Sequence, residues 1–151
     1  DHRKWQPEES LDKTCKGYVY ITDANTKLML PGNARTQDLY LLQSNLVFQI
    51  KLLDKKSFHL EITFTDTELV KRRIYFSGAS DYHYSKENII KNPLNVRVPT
   101  SMLLEGVWLT LSFDIQSFIQ NTFEPNFRYR SIDGITVGGA CLLRRIATFK
   151  A

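Results

Sequence analysis

The fold is decided by residues 46–64, LVFQIKLLDKKSFHLEITF. Apolar side chains occupy every second position in this stretch, first over residues 46–52 and again over residues 58–64. Because successive side chains of an extended chain point to opposite faces, each run predicts an antiparallel strand with one buried face. The polar residues 54–57 between the two runs predict a hairpin connection.

The rest of the chain repeats this pattern in short segments separated by turns that contain Gly, Pro, Asn and Asp, which is typical of a β-sandwich or jelly roll. One segment departs from it, because Ile115, Phe118 and Ile119 follow helical spacing after Asp114, a suitable N-cap. We therefore expect residues 1–151 to form a single all-β, antiparallel sandwich domain with one short helix. Further strands are predicted at residues 18–22, 27–30, 70–76, 94–98, 107–113, 134–137 and 141–149.

Two pairs of adjacent arginines lie inside predicted strands: Arg72 with Arg73, and Arg144 with Arg145. A guanidinium is always charged and costly to bury alone, so each must face solvent, meet a carboxylate or face an acidic partner. Arg72 shares the face of Ile74, so we expect it to need a carboxylate partner, which the sequence does not identify. In the second strand the alternation breaks after the arginines, which predicts a β-bulge that turns both outward.

The positive charge of the chain is concentrated at its C-terminal end. The net charge is +4, and residues 126–151 carry five basic side chains against one acidic side chain, an excess of four. Such a segment steers an acidic partner, whether nucleic acid, an anionic membrane or a protein surface, although solubility is the simpler explanation.

The longest irregular stretch covers residues 77–92 and contains Tyr82 and Tyr84. Exposed loop aromatics are typical of contact sites, and the alternative is that they pack on the edge of the sandwich. Together with the cations, they complete a set of candidate partner-binding residues: Lys71, Arg73, Tyr82, Tyr84, Arg128, Arg144 and Arg145.

Catalytic and metal-binding motifs are missing from the sequence. It contains no Gly-rich phosphate loop, no GxSxG and no HExxH, and Cys15 and Cys141 lack metal-ligand spacing. We expect two reduced thiols, no cofactor, no metal and no enzymatic activity. The apolar runs are too short to cross a bilayer and no signal peptide opens the chain, so we expect a cytoplasmic protein.

Two other functions compete with a protein-binding role. A carbohydrate-binding module would stack sugars on exposed aromatics, for which the candidates are Tyr82, Tyr84, Tyr129 and Trp108. A nucleic-acid-binding domain would use the cations at positions 71, 73, 128, 144 and 145, but the interleaved aromatics that single-strand binders need are missing.

The order of the motifs resembles the domain of cilia- and flagella-associated protein 20. The resemblance covers most of the chain, and its RRIY and SIDG segments are most similar to the branch in which this domain lies within a longer protein. It is carried by the strand pair at 46–64, VKRRIY at 70–75, WLTLSFDI at 108–115, SIDGI at 131–135 and CLLRRI at 141–146.

The resemblance implies a carbohydrate-module-like β-sandwich that serves as a structural protein of cilia, flagella and centrioles. It implies tubulin, the microtubule wall or axonemal junction proteins as partners, and a location in the cytoskeleton of an axoneme or centriole. We expect no membrane partner, and the missing interleaved aromatics disfavour nucleic acid. Because tubulin is acidic, the basic C-terminal segment fits this expectation.

Overall fold

A computed structural model of the protein describes residues 8–77, 90–91, 95–100, 102–123 and 126–150. In chain order its elements are β1 (Glu8–Asp12), β2 (Gly17–Thr22), β3 (Lys27–Leu30), β4 (Asn45–Leu52), β5 (His59–Asp66), β6 (Lys71–Ser77), β7 (Ile90–Lys91), β8 (Asn95–Pro99), β9 (Trp108–Asp114), α1 (Ile115–Thr122), β10 (Tyr129–Gly138) and β11 (Cys141–Phe149). Within the described residues, the strands form a five-stranded sheet of order β1-β2-β11-β4-β9 and a six-stranded sheet of order β3-β10-β5-β6-β8-β7. The predicted all-β sandwich with one short helix is confirmed.

The two alternating runs at residues 46–64 supply the centre of the core. Their apolar members are each at most 1% exposed, so the predicted register of both strands is confirmed. The intervening polar side chains therefore lie on the outer faces of the two sheets. Since a one-residue slip would expose the whole apolar set, burial of these side chains fixes the register. The buried members are Leu46, Phe48, Ile50, Leu52, Phe58, Leu60, Ile62 and Phe64.

The predicted hairpin at residues 54–57 is wrong, because β4 and β5 belong to different sheets. The connection crosses from one sheet to the other and bonds to the turn between β10 and β11, which makes the same crossing. The Leu53 amide donates to the Ala140 carbonyl at 2.9 Å, and the Ala140 amide donates to the Ser57 hydroxyl at 3.0 Å. Gly139, with φ of +80°, is required here, since a Cβ would lie 2.2 Å from the Ser57 carbonyl oxygen.

Three strand segments were missing from the sequence-based prediction. Strand β10 begins five residues earlier than expected, because register shifts between Tyr129 and Ser131 and between Ile132 and Gly134 break its alternation. Strand β1 reads EESLD and has no apolar face, so its pairing with β2 holds it at the edge of its sheet. Strand β7 is two residues long.

Helix α1 confirms the prediction made from helical spacing. The Asp114 carboxylate caps it by accepting from the Ser117 amide at 3.1 Å. Ile115 and Ile119 are at most 1% exposed and join the core. In the described ranges, no helix has the length and hydropathy needed to cross a membrane.

Candidate partner-binding surfaces

The first arginine of β6 is a buried structural residue. Arg72 is 5% exposed, and its Nε donates to the Asp66 carboxylate at 3.0 Å. Its guanidinium also lies 3.8 Å from the centroid of the Phe127 ring, a cation–π contact. The other Asp66 oxygen accepts from the amides of Glu68 and Val70. The expected need for a carboxylate partner is confirmed, and the partner is Asp66.

The other two cations of β6, Lys71 and Arg73, lie on the outer face of the six-stranded sheet. Lys71 contacts Asp38 at 2.8 Å, and Arg73 contacts Glu61 at 3.5 Å. A hydrogen bond to the Tyr75 hydroxyl at 3.1 Å raises the pKa of the Arg73 guanidinium above its usual value. Both cations are more than half exposed, yet each is neutralised locally by a carboxylate.

These two cations border a groove of about 330 Å³ that crosses the outer face of the six-stranded sheet. Its floor includes Glu61 and Thr63 of β5 and Thr136 of β10, and the segment after β3 forms a wall. The lining mixes charges of both signs. None of the described residues that line it is Phe, Tyr or Trp, so they offer no platform on which a sugar ring stacks.

The arginine pair of β11 is arranged differently. The ladder between β11 and β4 shifts register between Leu143 and Arg145, which confirms the predicted β-bulge. Arg144 and Arg145 are both exposed on the outer face of the five-stranded sheet. Among the described residues, neither forms an ion pair with a carboxylate. Two adjacent cations therefore face the same way, and no carboxylate of the described ranges neutralises them.

The candidate basic residues do not form one continuous patch. Lys71 and Arg73 lie on one outer face of the sandwich, and Arg144 and Arg145 lie on the opposite outer face. Arg128 lies in the segment that leads into β10, where it is exposed and its carbonyl accepts from the Thr67 amide at 3.0 Å. The sequence located the cations but not the faces to which they belong.

Compared with known protein families, the chain matches the CFA20 domain over residues 6–150. The chain belongs to the CFA20 domain family. The match covers nearly the whole chain, and it associates this CFA20 domain with the cilia- and flagella-associated proteins.

Two aromatics that a sugar site would use have internal partners in this CFA20 domain. The Tyr129 hydroxyl donates to the Leu41 carbonyl and accepts from the Ile132 amide, and burial raises the pKa of Tyr129 to about 12. Trp108 is half-buried and donates its indole N–H to the Thr14 hydroxyl at 3.0 Å. The other two sugar-stacking candidates, Tyr82 and Tyr84, lie outside the described residues.

The two cysteines of the CFA20 domain are free thiols, and they differ in burial. Cys141 is buried beside the Thr22 hydroxyl, and burial raises the pKa of its thiol to about 11. Cys15 is half-buried and lies in the turn between β1 and β2, where its amide donates to the Asp12 carboxylate. In the described part of the chain, no cluster of three or more His, Cys, Asp or Glu side chains is placed to hold a metal ion.

Proposed function

We propose that this CFA20 domain is a non-enzymatic structural domain of axonemes or centrioles that binds microtubules or proteins bound to them. The binding surface is the outer face of the five-stranded sheet. One observation carries the proposal: the β-bulge of β11 directs Arg144 and Arg145 to the same face, and neither has a carboxylate partner among the described residues. Unneutralised, adjacent cations are complementary to an acidic surface such as that of tubulin.

The surroundings of this arginine pair include a third cation. Lys51 of β4 alternates with the buried Ile50 and Leu52, so it lies on the same outer face. Gln49 of β4 lies directly beside Arg145, and Thr110 and Ser112 of β9 add short polar side chains to this face. The face therefore presents cations and neutral polar groups to an acidic wall. The paired cations on the opposite face, Lys71 and Arg73, would have to give up existing carboxylate contacts to bind the same wall.

The two competing functions receive less support. Cations on opposite faces do not track one phosphate backbone, which weighs against a nucleic-acid-binding domain. The polar groove on the six-stranded sheet lacks a Phe, Tyr or Trp among its described lining, and Trp108 and Tyr129 are held by internal hydrogen bonds. These observations weigh against a carbohydrate module that relies on stacking.

The proposal is tested by microtubule co-sedimentation of two charge-reversed variants. Reversing Arg144 and Arg145 to Glu should weaken binding by roughly tenfold or more, since opposed charges at an interface become like charges. The matched control reverses Lys71 and Arg73 to Glu, which changes the net charge equally on the opposite face, and should change binding by less than about twofold. Binding of the unmodified chain should also weaken as salt shortens the Debye length to about 8 Å and below.

Other outcomes would redirect or overturn the assignment. If the control variant loses binding and the Arg144 and Arg145 variant keeps it, the groove face is the contact. If both folded variants bind as the unmodified chain does, neither basic face binds microtubules and the proposal fails. Thermal unfolding of each variant shows whether a loss of binding reflects a lost contact or a lost fold. Salt-insensitive binding on a glycan array would support the carbohydrate alternative.

A further inference from the structure

Strand β9 lies at one edge of the five-stranded sheet. Within the described residues it pairs only with β4, over seven residues and with no shift in register. Natural edge strands are commonly short, bulged or blocked by Lys or Pro, because an open row of backbone groups pairs with other strands. The sequence of β9, WLTLSFD, contains neither Lys nor Pro. At the opposite edge, β1 has three acidic residues in five.

The hydrogen bonding next to β9 identifies its open backbone groups. One residue beyond the ladder with β4, the Ile115 amide donates to the Ser44 carbonyl at 3.0 Å. Bonded and non-bonded pairs alternate along an antiparallel ladder, so Leu111 directs its amide towards β4. By the same alternation, the amides of Thr110 and Ser112 point to the open edge.

The six-stranded sheet extends past β9 and forms a shelf beside this edge. The rings of Phe113 on β9 and Phe76 on β6 lie 4.7 Å apart between centroids, so β9 faces β6. Beyond β6 the six-stranded sheet continues with β8 and β7. In the described residues, the five-stranded sheet has no strand opposite these two. One further strand of the five-stranded sheet, next to β9, would lie opposite β8.

An apolar pocket of about 170 Å³ lies between the sheets on the same side. It is lined by Leu111 and Phe113 of β9, by Phe76 of β6 and by Thr100, among others. A cavity of about 150 Å³ holds a benzene ring, so this pocket holds one aromatic side chain. Thr100 is 2% exposed, and its hydroxyl has no hydrogen-bond partner in the described part of the chain. The inward side chains of β9 are only half-buried, whereas those of β4 are at most 1% exposed.

We propose that the edge of β9 accepts an extended segment of a partner protein as an added β-strand. The backbone of that segment bonds to the open amides and carbonyls at Thr110 and Ser112. Its side chains alternate, and an inward aromatic side chain with a hydroxyl, a tyrosine, fills the pocket and bonds to Thr100. Recognition of this kind takes affinity from main-chain hydrogen bonds and specificity from pockets for alternate side chains.

The part of the six-stranded sheet that extends past β9 leaves room for a single strand but not for a second copy of this chain. Two copies paired through β9 in one antiparallel sheet would be related by a two-fold axis perpendicular to that sheet. Both six-stranded sheets would then lie on the same side, and strands β8 and β7 of each copy would occupy the same space. A lone extended segment has no such overlap.

The first test is residue-resolved hydrogen exchange of the free chain by NMR. The Thr110 and Ser112 amides should exchange on the order of a hundredfold faster than the Leu111 and Phe113 amides, because open edge amides exchange without unfolding. If all four are equally protected in the free chain, the edge is already covered and the proposal is overturned.

The second test is selection from a phage-displayed library of random nonapeptides. Enriched peptides should alternate apolar and polar residues around one tyrosine, and their binding should perturb the β9 amides of the unmodified chain. Ser112→Pro removes one open amide at an edge where proline is tolerated and should weaken binding at least about tenfold. Ser112→Ala, which keeps the amide, should bind within about twofold.

The pocket is tested by comparing each selected peptide with its Tyr→Phe form. The unmodified chain should prefer tyrosine by about threefold to tenfold, the contribution of one buried hydrogen bond. In the isosteric Thr100→Val variant this preference should disappear. No enrichment, peptides without alternation, or amide perturbations away from β9 would overturn the proposal, even if Ser112→Pro fails to fold. Microtubule co-sedimentation plays no part in these tests, so they stand independently of the proposed function.

Discussion

Strands β6 and β11 each contain two adjacent arginines, and the two strands use them in opposite ways. In β6 the ladder with β5 is regular, so alternation sends Arg72 into the interior and Arg73 to the surface. In β11 a bulge interrupts the ladder, and Arg144 and Arg145 both face outward. The same dipeptide is therefore partly structural in one strand and wholly displayed in the other. Ladder geometry, rather than composition, decides which cations are available to a partner.

The energetics of the two pairs differ accordingly. Burial removes the Arg72 guanidinium from water, and the Asp66 carboxylate and the neighbouring aromatic rings help to compensate for that loss. The arginines of β11 remain hydrated and contribute little to folding, as is usual for surface charges. A change in β6 should therefore lower stability, whereas a change in β11 should alter binding.

Deletion of Arg73 should have the largest effect on stability. If the residues after it move back by one position, Ile74, which is fully buried, turns outward. If the residues before it move forward, Lys71 replaces Arg72 beside Asp66. Either shift disrupts the core, so we expect a loss of more than about 4 kcal/mol. Denaturant unfolding measures the loss, and a variant within about 1 kcal/mol of the unmodified chain would show that the β6 register is wrong.

Asp66→Ala should have the next largest effect, because it removes a buried carboxylate from a buried guanidinium. Removing one partner of a buried ion pair costs about 3 to 5 kcal/mol. Asp38→Ala is the matched control, since it removes the carboxylate from the exposed Lys71 of the same strand and should cost less than about 1 kcal/mol. Urea unfolding of both variants checks the difference, and equal losses would mean that burial does not distinguish these two ion pairs.

The strands themselves were easier to predict from the sequence than their tertiary contacts and their assignment to a sheet. Alternation identified β4, β5 and the need of Arg72 for a carboxylate, and helical spacing identified the cap at Asp114. Both kinds of pattern depend on neighbours along the chain. The partner Asp66 could not be identified, since it depends on the turn that leads from β5 into β6. Sheet membership was equally inaccessible, because a sandwich crossing and a hairpin use similar polar residues.

The candidate binding residues show the same limit. The bulge at Arg144 and Arg145 was predicted because a break in alternation is visible in the sequence. The carboxylates that neutralise Lys71 and Arg73 come from a loop and from a neighbouring strand. Asp38 gave no signal in the sequence, and Glu61 could be matched with Arg73 only once the pairing of β5 with β6 was known. The sequence alone therefore could not distinguish the cations that contact a carboxylate from those that do not.

Deletion of Arg144 should have the smallest effect on stability. It tests most directly whether the bulge of β11 serves partner binding or the fold. Without this residue, Cys141, Leu143 and Ile146 fall on one regular alternation, so the ladder with β4 closes without turning any core residue outward. We expect the free energy of unfolding to change by less than about 1 kcal/mol, because only the extra residue of a bulge is lost. One of the two displayed arginines is lost with it, so microtubule binding should weaken by about threefold to tenfold.

Arg144→Ala is the matched control for this deletion, because it keeps the bulge and removes the same charge. Equal loss of binding in the two variants would mean that the charge alone matters, whereas a greater loss on deletion would mean that the bulge also orients Arg145. Unfolding of the deletion variant alone would reverse the comparison of the two strands. The bulge would then be required by the fold, as the regular ladder is in β6, and the outward arginines would be its consequence.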